Sequence, residues 1–430
     1  MVNTDWIKNL VPPIAVIGLG KSGTSALKLL KAVGFTDSDI ITYDDKDANA
    51  QLNKPEALIL KYPKTIVVSP GVPLNLVWIQ NLIANGTFVT SEISLAASII
   101  SSEKIIGVTG SVGKSTVVSI LAAGARHQDP HCFVGGNIGT PFCEYALHLL
   151  SGSPCANWII LELSSYQLEN CRGLKLNYSA ITFLSENHLE RYNSVEHYYN
   201  TKLGITSLTD SMCVFNQASL DCIVHSKRSK CAYYLASAAS DLSQSERSQI
   251  KLIGVHNHDN FAVARKLAQL AKWTSASIEK MYHFSGLAHR LENVGTFSGV
   301  HFINDSKATA IDSVLVAVGA CLEKILPPAK LILLLGGKDK NLPWQNLSFL
   351  KSDHRIQFIF FGQCGPNAQS ASKLPGALFP NLKLALGQCL KVAQVDDTVL
   401  LSPGGTSLDE FRNFEDRGDF FKKAVREFTN

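Results

Sequence analysis

The sequence predicts an α/β protein of three successive units, and three observations carry that prediction. Short apolar runs recur along the chain and alternate with helix-patterned stretches. Most of these runs end in a glycine turn or a polar cluster, which is the ligand edge of a doubly wound, largely parallel sheet. At 430 residues, with 46% hydrophobic and 18% charged residues and no low-complexity tail, the chain is ordered and too long for one core of usual size.

The first unit opens with the apolar run 14–17, the turn Gly18-Leu19-Gly20-Lys21-Ser22-Gly23 and a helical stretch to residue 30. A second strand at 40–43 ends in Asp44-Asp45, and a third at 65–68 ends in Ser69-Pro70-Gly71. Glycines at this spacing, with an acid about twenty residues on, form the dinucleotide fingerprint, and the same turn serves any ligand whose pyrophosphate sits at that helix N-terminus. A nucleotide-dependent oxidoreductase therefore competes as a reading, but it leaves the next unit unexplained.

That second unit contains the run 105–108 followed by Thr109-Gly110-Ser111-Val112-Gly113-Lys114-Ser115-Thr116 and the helix-like stretch 117–123. Glycines let such a loop turn its N–H groups toward phosphate oxygens, Lys114 adds a point charge, and the Ser115 hydroxyl can ligate Mg²⁺. The strict pattern has glycine where this chain has Val108, so the loop is a shortened phosphate loop, and ATP is the expected ligand. Gly135 to Gly139 and a strand at 158–161 running into Glu162-Leu163-Ser164-Ser165 follow, with Glu162 a magnesium ligand candidate at the strand end. A strand is expected at 180–184, then His188 among acids, and a helix at 195–203 that carries Lys202. Residues 237–248 look like a surface excursion and 285–289 like a hinge.

The third unit repeats the rhythm with strands at 300–303, 331–335, 357–361 and 398–401. His289-Arg290-Leu291-Glu292, Asn304-Asp305-Ser306-Lys307-Ala308-Thr309 and Gly336-Gly337-Lys338-Asp339-Lys340 gather cations and hydroxyls and read as a second anionic site. The net charge of +4 is mild and its basic residues are scattered, so nucleic acid is not an expected partner. Ten cysteines stand singly, with no C-x-x-C pair, as in a reduced compartment. Without a secretory signal or an apolar run of eighteen residues, the expectation is a cytoplasmic monomer with no membrane insertion.

Taken together these motifs resemble the Mur ligase family. The carriers include Gly18-Leu19-Gly20, Ser69-Pro70-Gly71, the phosphate loop, Gly136-Asn137-Ile138-Gly139 and Leu161 through Glu169. They continue through His188, Arg191-Tyr192, His256-Asn257 with Asn260, His289-Arg290, Asn304 through Thr309, Ser402-Pro403, Ser407-Leu408-Asp409 and Asn413-Phe414-Glu415. The resemblance runs nearly end to end and is closest to the members that add D-glutamate to UDP-N-acetylmuramoyl-L-alanine in peptidoglycan synthesis. It implies a Rossmann-like UDP-substrate domain at 1–94, a central P-loop ATPase domain at 95–286 and a Rossmann-like amino-acid domain at 287–430. It also implies an acyl phosphate intermediate, formed when the substrate carboxylate attacks the γ-phosphate and consumed by the amine of D-glutamate.

Carried over residue by residue, the resemblance places Gly110 through Thr116, Asn257, Asn260, Arg290 and Asp305 on ATP. Gly20, Lys21, Asp44, Asp45, Ser69, Pro70, Gly71 and Asn137 would face the UDP substrate, with Lys46 where the family more often has arginine. Thr309, Lys340, Ser407, Leu408 and Phe414 would receive D-glutamate. Ser115 and Glu162 would hold one Mg²⁺, and His188 a second together with Lys202, which matches the family's carbamylated lysine. Lys114, His188, Lys202 and Lys340 would form the catalytic set. Several positions depart from close relatives: Val112 replaces an asparagine, Asn187 an acid, Gly404-Gly405-Thr406 a different small-residue run, and the spacing from His188 to Lys202 is one residue shorter. A related ligase for another amino acid, or a folate polyglutamate ligase, would differ in the amino-acid pocket and the UDP site.

Overall fold

The computed structural model describes residues 4–186, 191–220 and 231–429. The described chain is α/β, with three sheets distributed over two compact units. Unit 1 comprises Met1–Ile250 with Asp259–Phe284, and unit 2 comprises Lys251–His258 with Ser285–Asn430.

The first sheet is fully parallel and contains β1 (Ile14–Ile17), β2 (Ile40–Tyr43), β3 (Thr65–Val68) and β4 (Phe88–Thr90), in the order β2-β1-β3-β4. Its inner strands are buried on both faces, which is why they read as continuous apolar runs rather than alternating ones. The second sheet holds β5 (Lys104–Thr109), β6 (Phe133–Gly136), β7 (Trp158–Glu162), β8 (Leu176–Ile181), β9 (Thr209–Asn216) and β10 (Ala232–Ala236), again all parallel. Their order, β10-β9-β8-β5-β7-β6, sends the chain to one side of β5 for β6 and β7 and to the other for β8 onward. The end of β5 is thus the point where connections diverge and a crevice opens for ligand.

These two sheets make one unit because their side chains share one core. Ile14, Val16 and Leu29 from the first sheet and its helix belong to the same buried cluster as Ile105, Phe142, Leu161 and Phe215. The helices Lys21–Ala32, Glu92–Ala97 and Phe142–Leu150 close the seam between the sheets. Each large apolar side chain buried there contributes about 1.5–3 kcal/mol, so the seam resists separation.

Unit 2 is built on the third sheet, comprising β11 (Glu292–Phe297), β12 (Val300–Asn304), β13 (Leu331–Gly336), β14 (Ile356–Phe361), β15 (Gly376–Phe379) and β16 (Thr398–Gly404). The order is β11-β12-β16-β13-β14-β15, with apolar clusters on both faces. The sequence reading expected four of these strands. It missed β15, which is short and mostly exposed, and β11, an antiparallel edge hairpin partner interrupted by a bulge at Gly295. Neither edge strand carries an apolar run to betray it.

One further expectation is corrected. The strand placed at 180–184 occupies Leu176–Ile181, because Thr182 and Phe183 leave the ladder to bond the phosphate loop. The polar stretch at 237–248, expected as a surface excursion, is largely exposed or half-buried and forms two short helices, Ala238–Asp241 and Gln244–Gln249, whose N-termini are capped by Ser237 and Ser243. The helix expected at 195–203 is present as Val195–Leu203. Among the described residues no helix is long and apolar enough to cross a membrane.

The first glycine turn shows how tightly the fold is built around its ligand edge. A Cβ on Gly23 would lie 1.8 Å from the Gly18 carbonyl oxygen and 2.7 Å from Ser69 Oγ, whereas one on Gly20 would meet nothing within 4 Å. Gly23→Ala is therefore expected to lower unfolding free energy by about 2 kcal/mol or more, because backbone must move. Gly20→Ala should change it by less than about 1 kcal/mol in the same denaturant titration.

Candidate active site

The phosphate loop springs from the end of β5 and is fixed by backbone. Gly110 and Gly113 have φ of +143° and +95°, and a Cβ would collide with Thr182 Oγ1 at the first and with Asn260 Oδ1 at the second. The N–H groups of Ser111 and Val112 donate to the Phe183 carbonyl, and the Thr182 hydroxyl donates to the Val112 carbonyl. Ser111 Oγ donates to the Ser185 carbonyl and pairs with the Tyr198 hydroxyl. Val112 is 42% exposed, so its side chain takes no part in holding the loop. The helix Lys114–Gln128 follows from Gly113, with Ser115 buried in its first turn. Its N-terminal N–H groups make this a ready anion site.

Two ammonium groups converge on this loop. Lys114 Nζ donates to the carbonyls of Gly110 and Ser111 at 2.8 and 2.9 Å, and Lys202 Nζ donates to the same Gly110 carbonyl at 2.8 Å. Lys202 is 1% exposed and lies over the Tyr198 ring, with Nζ 4.7 Å from the ring centroid. Burial first, then the neighbouring charge of Lys114, bring its pKa down to about 6, against the pull of Glu162. At neutral pH its amine is mostly uncharged.

Glu162 closes β7, in register with Val108 of β5, and is buried. Asn137 Nδ2 donates to its Oε1 at 2.7 Å, while Oε2 has no hydrogen-bond partner. A buried hydroxyl and a carboxylate with one unengaged oxygen are hard oxygen donors of the kind Mg²⁺ takes. No cluster of three His, Cys, Asp or Glu side chains suited to a metal occurs among the described residues, and His188 and Asn187 lie outside them.

A cavity of about 390 Å³ lies within unit 1, and Gly20, Lys21, Asp44, Asp45, Ser69, Pro70, Gly71 and Asn137 all line it, with Lys46. Asp44 serves the scaffold as much as the cavity. Its carboxylate accepts the N–H groups of Leu19, Lys46 and Asp47, and these bonds, Leu19's foremost, hold its pKa below the usual range. Asn137 links this cavity to Glu162 through both its side chain and its backbone N–H.

In unit 2, Asp305, Gly336 and Gly404 stand at the ends of the adjacent strands β12, β13 and β16. Asp305 is buried, accepting from Ser402 Oγ and the Leu291 N–H. Ser407 is buried, Thr309 and Phe414 are half-buried, and Lys340 and Leu408 are exposed. Lys307 Nζ lies 4.2 Å from the centroid of the Phe414 ring. His289 does not join a cationic patch: it is buried against Asn304, and burial lowers its pKa, so it is neutral at pH 7. The residues expected on ATP divide between the units, with Gly110 to Thr116 and Asn260 in unit 1 and Asn257, Arg290 and Asp305 in unit 2.

Residues 108–268 match the profile of the Mur ligase middle domain. A UDP-N-acetylmuramoylalanine--D-glutamate ligase of Myxococcus xanthus is 32% identical, across 96% of this chain and 97% of its own. The chain belongs to the Mur ligase family. A second enzyme of the same name, from Nitrosococcus oceani, is 31% identical over the whole of both chains. Among solved structures this Mur ligase shares its fold with the MurF ligase of Thermotoga maritima in complex with ADP, at a TM-score of 0.62 and 14% identity, covering 100% of this chain and 98% of that one. A pseudomurein peptide ligase type C from Methanothermus fervidus superposes at 0.56 with 16% identity, covering 96% and 99%.

Sequence reasoning missed several residues that shape the sites of this Mur ligase. Gln167 lines the cavity as the capping-box partner of Ser164, a pairing written in Ser164-Ser165-Tyr166-Gln167. Arg417, fully buried, donates to the Ser306 hydroxyl and carbonyl and to the Gly405 carbonyl, tying the ends of β12 and β16. Its only signal was a charge on an otherwise apolar helix face.

Burial raises Asp305 to about 7 from 3.8, opposed by its Ser402 and Leu291 hydrogen bonds and the charge of Arg290. The folded state therefore holds a proton that the unfolded state has released, and stability falls as pH rises through that window. Asp305→Asn should raise the thermal midpoint at pH 8, with the gain vanishing near pH 4; scanning calorimetry across pH checks this.

Proposed function

We propose that this Mur ligase uses ATP to join the amine of D-glutamate to the L-alanyl carboxylate of UDP-N-acetylmuramoyl-L-alanine, a step of bacterial peptidoglycan synthesis. The observation that carries the reading is the near end-to-end similarity, above 30% identity, to relatives of that named activity. The chemistry of the residues supports it.

Carboxylate and triphosphate are both anionic, so their approach needs fixed positive charge and tight positioning. The substrate carboxylate attacks the γ-phosphorus, ADP leaves, and an acyl phosphate forms; the amine then attacks its carbonyl, phosphate leaves, and the amide nitrogen gives up a proton. Lys114 and the N–H groups at the start of its helix cradle the phosphates within the loop 110–116, with Asn257, Asn260, Arg290 and Asp305 as the remaining ATP contacts. The 390 Å³ cavity takes the UDP moiety along Gly20, Lys21, Asp44, Asp45, Ser69, Pro70, Gly71 and Asn137. Thr309, Ser407, Leu408 and Phe414 receive D-glutamate, and the exposed Lys340 pairs with one of its carboxylates.

Ser115 and Glu162 would hold one Mg²⁺, and His188 with Lys202 a second; bound there, the ions supply positive charge to the phosphate oxygens. Lys202 would serve as a carbamate, formed when its neutral amine adds to CO₂ and releases a proton. Its low pKa supports that role, since only the unprotonated amine reacts. The same addition places a negative charge beside the Lys114 side chain.

Incubating the protein with ATP, Mg²⁺ and UDP-N-acetylmuramoyl-L-alanine should release phosphate with D-glutamate and not with other amino acids; release with another amino acid alone overturns the reading. Lys114→Ala should cut turnover at least about a hundredfold by removing a charge from the developing transition state, and wild-type turnover would refute the assigned phosphate site. Lys202→Ala should be inactive in plain buffer and partly restored by small carboxylic acids that occupy the carbamate's place. Full activity without them would remove the carbamate from the mechanism.

A further inference from the structure

We propose that Arg191 is a positioning residue that fixes the Ser69-Pro70-Gly71 loop in the conformation that grips the UDP substrate, an inference that rests on the function proposed above. The guanidinium is nearly buried, and all three of its nitrogens and one of its faces are engaged. Nε and one Nη donate to the two oxygens of Glu169 at 3.2 and 2.6 Å, and the other Nη donates to the Pro70 carbonyl at 2.9 Å. Its flat face lies over the Tyr166 ring, 4.0 Å from the centroid. Glu169 is itself oriented by the Tyr192 hydroxyl at 2.7 Å. A forked, planar cation can meet a carboxylate, a carbonyl and an aromatic face at once; a lysine cannot.

The loop it holds belongs to the first sheet, whereas Tyr166, Glu169 and Arg191 follow strands of the second. Proline has no N–H, so the carbonyl is the one backbone handle that Pro70 offers. Ser69 Oγ also donates to the Gly18 carbonyl at 2.6 Å, so the loop is held by residues of both sheets. Arg191 lines a small cavity behind the loop with Ser69, Pro70, Val72 and Gln167, and those four residues also face the 390 Å³ cavity, which Arg191 does not line. Its effect on ligand therefore passes through the loop rather than through contact.

The test compares Arg191→Lys, Arg191→Ala and Glu169→Gln with the wild type in two measurements. Calorimetric titration with UDP-N-acetylmuramoyl-L-alanine should show about tenfold weaker binding for Arg191→Lys, as expected for loss of a charge-assisted hydrogen bond. Affinity for a non-hydrolysable ATP analogue and kcat should stay within about twofold, and adding Glu169→Gln to Arg191→Ala should cost nothing further. Amide hydrogen exchange should accelerate at residues 69–72 in Arg191→Lys. Unchanged exchange and unchanged substrate affinity in that variant overturn the proposal, as does equal weakening of both ligands with a collapsed thermal midpoint. If the wild type fails to bind the UDP substrate while exchange at 69–72 still rises in the variant, the ligase reading falls and the clamp stands.

Discussion

Two lysine side chains reach one backbone oxygen at the end of β5, and the arrangement of the centre follows from that crowding. Lys114 comes from the helix that the phosphate loop starts, and Lys202 from the helix Val195–Leu203, whose Tyr198 also pairs with Ser111 of the loop. Two ammonium ions cannot both stay charged in so dry a corner, and the more deeply buried Lys202 yields its proton. Lys202 thereby presents a mostly neutral amine beside the Lys114 side chain. Glu162, with an unengaged oxygen a strand away, sets the opposite charge into the same edge.

The first two sheets share a core, and this fusion gives the molecule a rigid cavity wall. Asp44 and Ser69 brace the glycine turn of the first sheet, and Asn137 and Gln167 enter the cavity from the second. Asn137 then reaches Glu162, so the wall of the cavity and the edge of the phosphate site are one hydrogen-bonded piece. In unit 2 a comparable office falls to Arg417, a buried cation that meets carbonyl and hydroxyl oxygens rather than a carboxylate. A charge placed so is costly, and it ties Ser306 to Gly405 just beyond the point where the β12–β16 ladder ends at Asn304 and Leu401.

Much of this was legible in the residues. The strands that end at ligand edges are buried on both faces, so they appear as unbroken apolar runs, and Gly18, Gly23, Gly110 and Gly113 after them have φ values or clearances that a side chain rarely tolerates. Edge strands β4, β6, β10, β11 and β15, the inner strand β9 and the true end of β8 were not legible. An edge strand needs no apolar run, and Thr182 and Phe183 extend the apolar pattern of β8 while bonding elsewhere. Lys202 was visible only through family resemblance, since a lysine on a helix looks the same whether it is solvated or sealed.

The sequence by itself determined the alternation of strands and helices, the glycine turns and the identity of the chemical groups, because these depend on local backbone sterics and on which side chains avoid water. Only the tertiary structure decided which groups are dry, which share a partner and which protonation state they hold. Those properties come from neighbours brought in by distant segments: Lys202 to Gly110, Arg191 to Pro70 and Arg417 to Ser306 are each separated by about a hundred residues along the chain. Electrostatic energies depend on burial and distance, and neither is written in the order of residues.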